Sequence, residues 1–235
     1  MANLIIDLTA AAMLLDGNGA AKSVTETAAM IAGFGANGII VRPGSGAGRL
    51  GYGDITALKT ALACHLSIEG SPDSSFIRLV RDIHPQQVIL TADEDPASAG
   101  WDTKHNLGYL SEVCQIFNAD GIGTAIMVEP DVEMVRYASE TGCKSIALIC
   151  RQYAEAFAHD REAATEPYLY AEAEAVKNGL DIMLCHGLDS VNIGWILREM
   201  PSVSGAAVGK ALVRDAFFYG LKTAMETYLN EINGI

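Results

Sequence analysis

The sequence predicts a closed (β/α)8 barrel, the TIM-barrel architecture, and three observations support this prediction. The chain has 235 residues, a length at which a single barrel domain is common. Half of the residues are hydrophobic and only 19% are charged, which indicates a large buried core. Short segments rich in Ile, Val and Leu alternate with segments of helical periodicity. This pattern is typical of a parallel sheet covered by helices on both faces.

The predicted strands are eight apolar segments: residues 3–8, 38–42, 66–69, 87–91, 123–128, 145–150, 180–185 and 204–209. Eight strand–helix units in this length favour a closed barrel. An open, doubly wound sheet is the alternative, because an apolar pattern defines strand ends poorly. No linker-like or low-complexity segment interrupts the alternation, so we expect one domain across residues 1–235.

The predicted helices lie between these strands, at residues 25–35, 54–65, 73–84, 106–119, 131–142, 164–179, 190–200 and 211–232. Ser23 and Glu26 have the spacing of a capping box. Further N-caps are predicted at Asp54, Asp73 and Asp131, and helix ends at Gly35, Gly142 and Gly179. Residues 151–179 are too long for an ordinary crossover, which predicts an extra helix after the sixth strand. Its aromatic residues pack either on a neighbouring subunit or in the chain's own core: Tyr153, Phe157, Tyr168 and Tyr170.

Composition argues against several classes of protein. The formal net charge of −13 disfavours a nucleic-acid-binding or anionic-membrane-binding protein. No apolar run reaches the roughly 18 residues of a membrane helix, and the N-terminus lacks the basic flank of a signal peptide, so we expect a cytoplasmic protein. The five cysteines show no CxxC spacing. We expect them to be reduced core thiols, without a disulfide or a zinc site: Cys64, Cys114, Cys143, Cys150 and Cys185.

In a barrel of this kind the active site lies at the carboxyl ends of the strands. The predicted strand ends bring together Asp7, Arg42, Glu69, Thr91 with Asp93, Glu129, Arg151, His186, and Gly209 with Lys210. Glu69 is a candidate general base, since a carboxylate at an apolar barrel mouth can have a raised pKa. The alternative is a structural salt bridge from Glu69 to Arg42 or Arg49. His186 is a candidate proton-transfer residue, and the following Gly187 allows a tight turn or a close approach of ligand.

The other four histidines are interpreted as structural: His65, His84, His105 and His159. Gly209 and Lys210 precede the last helix, whose first turn could bind phosphate; the alternative is close packing of small residues. The glycine-rich segment 42–54 lacks the Lys-Ser/Thr ending of a P-loop. We interpret it either as a loop that folds over a substrate, with Arg42 and Arg49 supplying charge, or as a flexible surface loop.

Several segments resemble the pyridoxine 5′-phosphate synthase family. They are NLIIDL, FGANGIIVR, HLSIEG and, most specifically, NGLDIMLCHGLDSVNIGWILREMP followed by VSGAAVGKALVRDAFFYGLKTAMETYL. The resemblance implies a (β/α)8 barrel with extra helices, usually assembled as an octamer. It also implies condensation of 1-deoxy-D-xylulose 5-phosphate with 3-amino-2-oxopropyl phosphate to close the pyridine ring of vitamin B6.

Carried over by position, the resemblance implies that Asp7 binds substrate, Glu69 is catalytic and His186 is a proton donor. Gly187 and Gly209 then lie at the phosphate-bearing amine substrate. The chain departs from the family pattern elsewhere. The resemblance implies histidine in the family where this chain has Leu8, Arg42, Arg49 and Lys210, arginine at Asp16 and Gly44, and glutamate at Ala147.

Arginine stays protonated in proteins, so Arg42 cannot replace a histidine base. The positive charge of Arg42, Arg49 and Lys210 is nevertheless compatible with a phosphorylated or carboxylated ligand. We therefore predict a ring-forming condensing enzyme of this family, without cofactor or metal, with an altered substrate or weak activity on the family substrates. The alternative is a catalytically silent paralogue that binds a phosphorylated metabolite as a sensor or assembly partner. A metal-dependent aldolase ranks third, because no cluster with clear ligand spacing occurs.

Overall fold

The computed structural model describes residues 1–15, 23–44, 48–93 and 99–234. Eight parallel strands close into a barrel in which each strand pairs with the next and the eighth pairs with the first. The closed barrel is thereby confirmed over the open sheet. The strands are β1 Asn3–Asp7, β2 Gly38–Val41, β3 His65–Gly70, β4 Gln87–Leu90, β5 Gly123–Val128, β6 Ser145–Ile149, β7 Asp181–Cys185 and β8 Val203–Val208.

Helices surround the barrel, and their arrangement differs from the prediction at the start and at the end of the chain. They are α1 Thr9–Leu15, α2 Val24–Gly33, α3 Tyr52–Ala61, α4 Ser74–Ile83, α5 Leu107–Ala119, α6 Val132–Glu140, α7 Arg151–Phe157, α8 Arg161–Lys177, α9 Ile193–Glu199, α10 Lys210–Tyr219 and α11 Leu221–Asn233. The extra helix after the sixth strand, α7, is confirmed. Helix α1 was not predicted, and the single closing helix was wrong. Gly220, with φ of 81°, separates α10 from α11 because that backbone angle interrupts a right-handed helix.

Most of the predicted helix ends are present. Ser23 and Glu26 form the capping box, and the side chains of Asp73 and Asp131 accept backbone N–H groups in the first turns of α4 and α6. The N-cap predicted at Asp54 was wrong. Gly51 is the N-cap of α3, and the carboxylate of Asp54 accepts the Gly51 N–H from within the first turn.

The middle of the barrel interior is apolar and combines small with large side chains. Ala125, Ala147 and Ala207 face it together with longer residues from other strands, among them Ile40, Ile89, Met127, Ile149, Met183 and Cys185. Glycines also make room. A Cβ atom at Gly205 would lie 2.7 Å from Cδ1 of Ile5, so the isoleucine fills the space that the glycine leaves. The polar cluster described below lies above this apolar layer and forms the floor of the cleft.

The aromatic residues after the sixth strand lie mainly within the chain's own core. Tyr153 and Tyr168 are buried, and their hydroxyls donate to the carbonyls of Asn192 and Ile149. Phe157 is half-buried, whereas Tyr170 is 58% exposed and does not share this packing.

The five cysteines are free thiols, four of them buried and Cys64 half-buried. The predicted location in the core is therefore confirmed for the four buried cysteines. None of the described helices has the length and apolarity needed to cross a membrane.

Candidate active site

A cleft of about 700 Å³ opens at the carboxyl ends of β1, β2, β3, β7 and β8. All eight residues predicted to bind or transform a substrate line it: Asp7, Arg42, Arg49, Glu69, His186, Gly187, Gly209 and Lys210. Arg151, another predicted strand-end residue, also lines the cleft. Thr91, Asp93 and Glu129 lie outside this lining. Parallel strands thus bring together side chains that are far apart in sequence, such as Asp7 and Lys210.

Arg42, Glu69 and His186 form a buried cluster at the bottom of the cleft. Nη2 of Arg42 lies 2.6 Å from Oε1 of Glu69, and Nε2 of His186 lies 3.5 Å from the same oxygen. Arg42 is 4% exposed and Glu69 is 1% exposed. Although the Arg42–Glu69 contact is short, its angles are unfavourable for a hydrogen bond, so the two residues form an ion pair.

The acidity of Glu69 differs from the prediction. Burial raises the pKa of a carboxyl group, but the contacts of Glu69 with His186 and Arg42 outweigh burial and lower its pKa below the usual value. The expected raised pKa was therefore wrong. The salt bridge to Arg42, which was the structural alternative, is present. Glu69 is consequently ionised near neutral pH, which a proton acceptor requires, and its basicity is weakened as long as Arg42 remains in contact.

The turn at His186 and Gly187 directs the histidine into the cleft. His186 has φ of 55° and Gly187 has φ of 143°. A Cβ atom at position 187 would lie 2.4 Å from the carbonyl oxygen of Cys150, so only glycine fits there. The side-chain amide of Asn192 donates to the Gly187 carbonyl at 3.1 Å, which fixes the turn. The seam between β7 and the following helix thus places an imidazole beside Glu69.

Asp7 connects the buried cluster to the neighbouring helix. Its Oδ1 accepts both the backbone N–H and the hydroxyl of Thr9, at 2.9 and 2.6 Å, and so caps the start of α1. Its Oδ2 lies 3.7 Å from Nη2 of Arg42. Gly209 approaches closely, since a Cβ atom there would lie 3.2 Å from Cβ of Asp7.

The rim of the cleft is mainly basic. Arg49, Arg151, Lys210 and Arg214 line it, with Asp189 as the acidic member. Arg214 pairs with Asp215 at 2.9 Å and approaches Asp189 at 3.8 Å. A basic rim on an acidic protein favours an anionic ligand.

The start of α10 adds backbone N–H groups to this rim. Gly209 is its N-cap, and among the described residues no side chain caps the first N–H groups of the helix. Lys210 is the first residue of the helix and is exposed.

Sequence reasoning missed Thr9, Met13 and Arg214 as lining residues. For Arg214 a signal was present, because it lies one helical turn after Lys210 and shares its face of α10. Thr9 and Met13 belong to α1, which the apolar pattern did not separate from the first strand.

The base of the glycine-rich segment is ordered by backbone contacts. Leu50 N–H donates to the Arg42 carbonyl at 2.9 Å, and Gly44 N–H donates to the Leu50 carbonyl at 3.1 Å. These bonds hold Arg42 and Arg49 on the same side of the cleft. Residues 45–47, the centre of the segment expected to fold over a ligand, lie outside the described residues, as does Asp16.

Two positions that depart from the family pattern are apolar and buried. Leu8 is 1% exposed and Ala147 is fully buried in the barrel interior. In the described parts of the chain, no group of three His, Cys, Asp or Glu side chains is arranged to hold a metal ion.

Solved structures support the fold. The chain is similar to 3-keto-L-gulonate-6-phosphate decarboxylase from Vibrio cholerae, with a TM-score of 0.67 and 11% identity, covering 99% of this chain and 98% of that one. It is also similar to thiamine phosphate pyrophosphorylase from Pyrococcus furiosus, with a TM-score of 0.66 and 14% identity, covering 98% and 95%. At these identities the likeness concerns the fold alone.

Curated relatives are more similar in sequence. Pyridoxine 5′-phosphate synthase of Bacteroides thetaiotaomicron is 35% identical, covering 98% of this chain and 99% of the relative. The synthase of the same name from Porphyromonas gingivalis is 35% identical over 85% of each chain. Residues 6–234 match the family described as pyridoxal phosphate biosynthesis protein PdxJ. The chain therefore belongs to the PdxJ family, as its sequence motifs predicted.

Proposed function

We propose that this protein is an enzyme that condenses small phosphorylated substrates with ring closure, in the manner of pyridoxine 5′-phosphate synthase. The observation that carries the proposal is the buried contact between Glu69 and His186, at 3.5 Å, beneath a basic rim. A carboxylate and an imidazole that lie side by side at the bottom of the cleft can exchange protons with a substrate bound above them. Membership of the family supplies the reaction class.

Glu69 is the proton acceptor and His186 the proton donor in this proposal. Glu69 is ionised, as an acceptor must be, because its contacts with His186 and Arg42 lower its pKa. Histidine can exchange protons near neutral pH. Asp7 lies beside Arg42 on the same floor and is placed to accept a hydrogen bond from a substrate hydroxyl or amine.

The phosphate group of the substrate is assigned to the start of α10. The first-turn N–H groups after Gly209 and the ammonium group of Lys210 provide donors and positive charge there. Arg49 and Arg214 add charge on the same rim.

The family substrates are expected to react slowly, because Arg42 occupies the position of the family's histidine base. Loss of a positioned base typically lowers a rate by about 10²- to 10⁴-fold. A different substrate, whose reaction needs no base at position 42, is compatible with the other residues of the floor, Asp7, Glu69 and His186.

A catalytically silent paralogue is the second candidate, and the Arg42–Glu69 ion pair favours it. A carboxylate held by arginine at 2.6 Å is a poor proton acceptor until the contact opens. Such a protein would bind the phosphorylated ligand and release it unchanged.

The test is steady-state formation of pyridoxine 5′-phosphate from 1-deoxy-D-xylulose 5-phosphate and 3-amino-2-oxopropyl phosphate. We expect slow formation by the unmodified protein, faster formation by Arg42→His, and none above background by Glu69→Gln. Thermal unfolding with each substrate measures binding in parallel. Stabilisation by ligand without any product across a panel of ketose and amine phosphates would favour the silent paralogue. Turnover typical of the family with Arg42 in place would contradict the role assigned to this position.

A further inference from the structure

Arg42 has buried hydrogen-bond donors that the described residues leave unpaired. Its side chain is 4% exposed, and its Nε and Nη2 atoms make no hydrogen bond within the described part of the chain. Unpaired buried donors cost free energy, and more so when they carry charge. Both atoms are enclosed in this structure, but Arg42 lines the cleft, so a ligand that displaces the Glu69 carboxylate from Nη2 can reach the guanidinium group.

The charge around Arg42 identifies the kind of atom that fits. Two carboxylates, Asp7 and Glu69, lie within 3.7 and 2.6 Å of its Nη2 atom. Arg42, Asp7 and Glu69 together contain one positive and two negative charges, which is an excess of negative charge around the guanidinium group. A further anionic group would therefore be repelled from the floor of the cleft, whereas a neutral carbonyl oxygen could accept hydrogen bonds without adding charge.

We propose that Arg42 binds a substrate ketone oxygen and stabilises the enolate that forms when Glu69 removes a proton from the adjacent carbon. This inference rests on the proposed function for the proton-accepting role of Glu69 and for the phosphorylated ligand. It adds an activity, the enolisation of phosphorylated α-hydroxyketones. It also gives Arg42 a catalytic role, the stabilisation of the enolate, which differs from the role of a histidine base.

The step balances within the floor. The C–H bond beside the ketone breaks, its proton forms an O–H bond on Glu69, and its electron pair moves into the carbon–carbon double bond of the enolate. The negative charge thereby moves from Glu69 to the ketone oxygen, and the net charge of the cluster stays the same. Reprotonation of the same carbon by Glu69 restores the ketone.

The short distance between Arg42 and Glu69 suits this step. At the start Arg42 stabilises the carboxylate at 2.6 Å, and once Glu69 is protonated the same guanidinium group can stabilise the enolate. An arginine fixed in a poorly solvated floor needs little reorganisation as the charge moves. The contact that weakens Glu69 as a base at rest is therefore relieved as the reaction proceeds.

The experiment is proton exchange in D₂O. The unmodified protein is incubated with 1-deoxy-D-xylulose 5-phosphate alone, without the amine substrate. Proton NMR then follows the hydrogens on the carbons beside the ketone.

We expect exchange faster than in buffer with the unmodified protein, and none above buffer with Glu69→Gln. With Arg42→Gln we expect kcat for exchange to fall by about 10²- to 10³-fold with little change in KM, the typical effect of removing a donor to an oxyanion. Arg81→Gln is the control, because Arg81 pairs with Asp120 on the outer surface and should leave exchange unchanged.

Other outcomes overturn the inference. An Arg42→Gln variant with raised KM and unchanged kcat would show that Arg42 only binds the ligand. No exchange by an unmodified protein that is thermally stabilised by the ketone phosphate would exclude enolisation. If Arg42→Gln does not fold, Arg42→Lys decides. It keeps the charge but loses the planar pair of donors, so we expect about a 10-fold loss in kcat, and full activity would count against the proposal.

The two proposals fail separately. Exchange without any ring-closed product in the two-substrate assay would reject the proposed function and keep the role of Arg42. Ring closure without exchange would reject the role of Arg42 alone.

Discussion

The buried ion pair between Arg42 and Glu69 makes a prediction about stability that is independent of any substrate. The perturbation is a double-mutant cycle of Arg42→Gln, Glu69→Gln and the double variant. Removing one partner of a buried pair typically costs about 3–5 kcal/mol, because the other charge stays buried without compensation. The loss of unfolding free energy in each single variant depends on which charged groups remain around the other partner.

The structure makes the two single substitutions unequal. With an effective dielectric constant of about 20, unit charges at 2.6 Å attract by about 6 kcal/mol and at 3.7 Å by about 4 kcal/mol, before desolvation. Glu69→Gln leaves Arg42 with Asp7, so we expect a loss of about 2–3 kcal/mol. Arg42→Gln leaves two carboxylates facing each other without a cation, so we expect a loss of about 4–5 kcal/mol.

The assay is chemical unfolding at neutral pH, followed by circular dichroism at one fixed protein concentration. The double variant should cost at least about 2 kcal/mol less than the sum of the single variants, since it removes both charges of the pair. Single effects that add within about 0.5 kcal/mol would refute the ion pair. So would a larger loss for Glu69→Gln than for Arg42→Gln, because the Asp7 contact would then be irrelevant.

The same pair predicts a pH dependence. The pKa of Glu69 is lowered in the folded protein, so its contribution to stability is complete above the ordinary value of 4.5. That contribution is lost as the pH falls through the lowered folded-state pKa. Unfolding free energies measured from pH 6 downward should therefore fall more steeply for the unmodified protein than for Glu69→Gln. Parallel curves for the two proteins would be inconsistent with this linkage.

Three further predictions concern the turn, a helix cap and the rim. Gly187→Ala should lower the free energy of unfolding, measured by denaturant titration, by about 3 kcal/mol. Gly179→Ala is the control, because Gly179 has a positive φ but open space around it, and should cost only about 1 kcal/mol. Equal losses would exclude a clash between the new Cβ atom and the Cys150 carbonyl. Asp73→Ala should lower the free energy of unfolding by about 1 kcal/mol, whereas Asp82→Ala, at an exposed position of the same helix, should change it very little. The capping hydrogen bonds lower the pKa of Asp73, so the effect of Asp73→Ala should vanish at a pH below the usual carboxyl range. Lys210→Ala should weaken binding of inorganic phosphate, measured by thermal shift, by about 10-fold; unchanged affinity would place the phosphate elsewhere.

The barrel could be predicted from sequence because its strands are buried on both faces. A parallel strand of this kind is a short continuous apolar run, and each run ends at a turn or cap with its own residue preference. The closing helix shows the limit. The apolar pattern continues through residues 211–232, but Gly220 takes a positive φ, and periodicity gives no information about one backbone angle. Helix α1 was missed for a related reason, since its Ala- and Leu-rich sequence continues the apolar run of β1.

The site could be located from sequence, but its electrostatics could not. The rule that barrel active sites lie at the carboxyl ends of strands brought Asp7, Glu69 and His186 to one place. The sign of the Glu69 pKa shift depends on which cation lies within about 4 Å, and strand order alone does not give that distance. Burial alone would have raised the pKa, and the contacts with His186 and Arg42 reversed the direction.

An arginine at position 42, where the family resemblance implies a histidine base, would change the site in a connected way. A histidine at position 42 can lose its proton, and Glu69 is then the main charge of the floor. An arginine keeps its positive charge, so neighbouring negative charges must balance it. Glu69 at 2.6 Å and Asp7 at 3.7 Å supply that match, and the buried Leu8 and Ala147 supply no further charge. The floor therefore contains one fixed cation, two carboxylates and one histidine. A reaction suits this floor when it moves a proton and a negative charge between groups already present and leaves the net charge unchanged. Enolisation of a neutral ketone is such a reaction. Binding of an anionic ligand beside Arg42 would instead add negative charge.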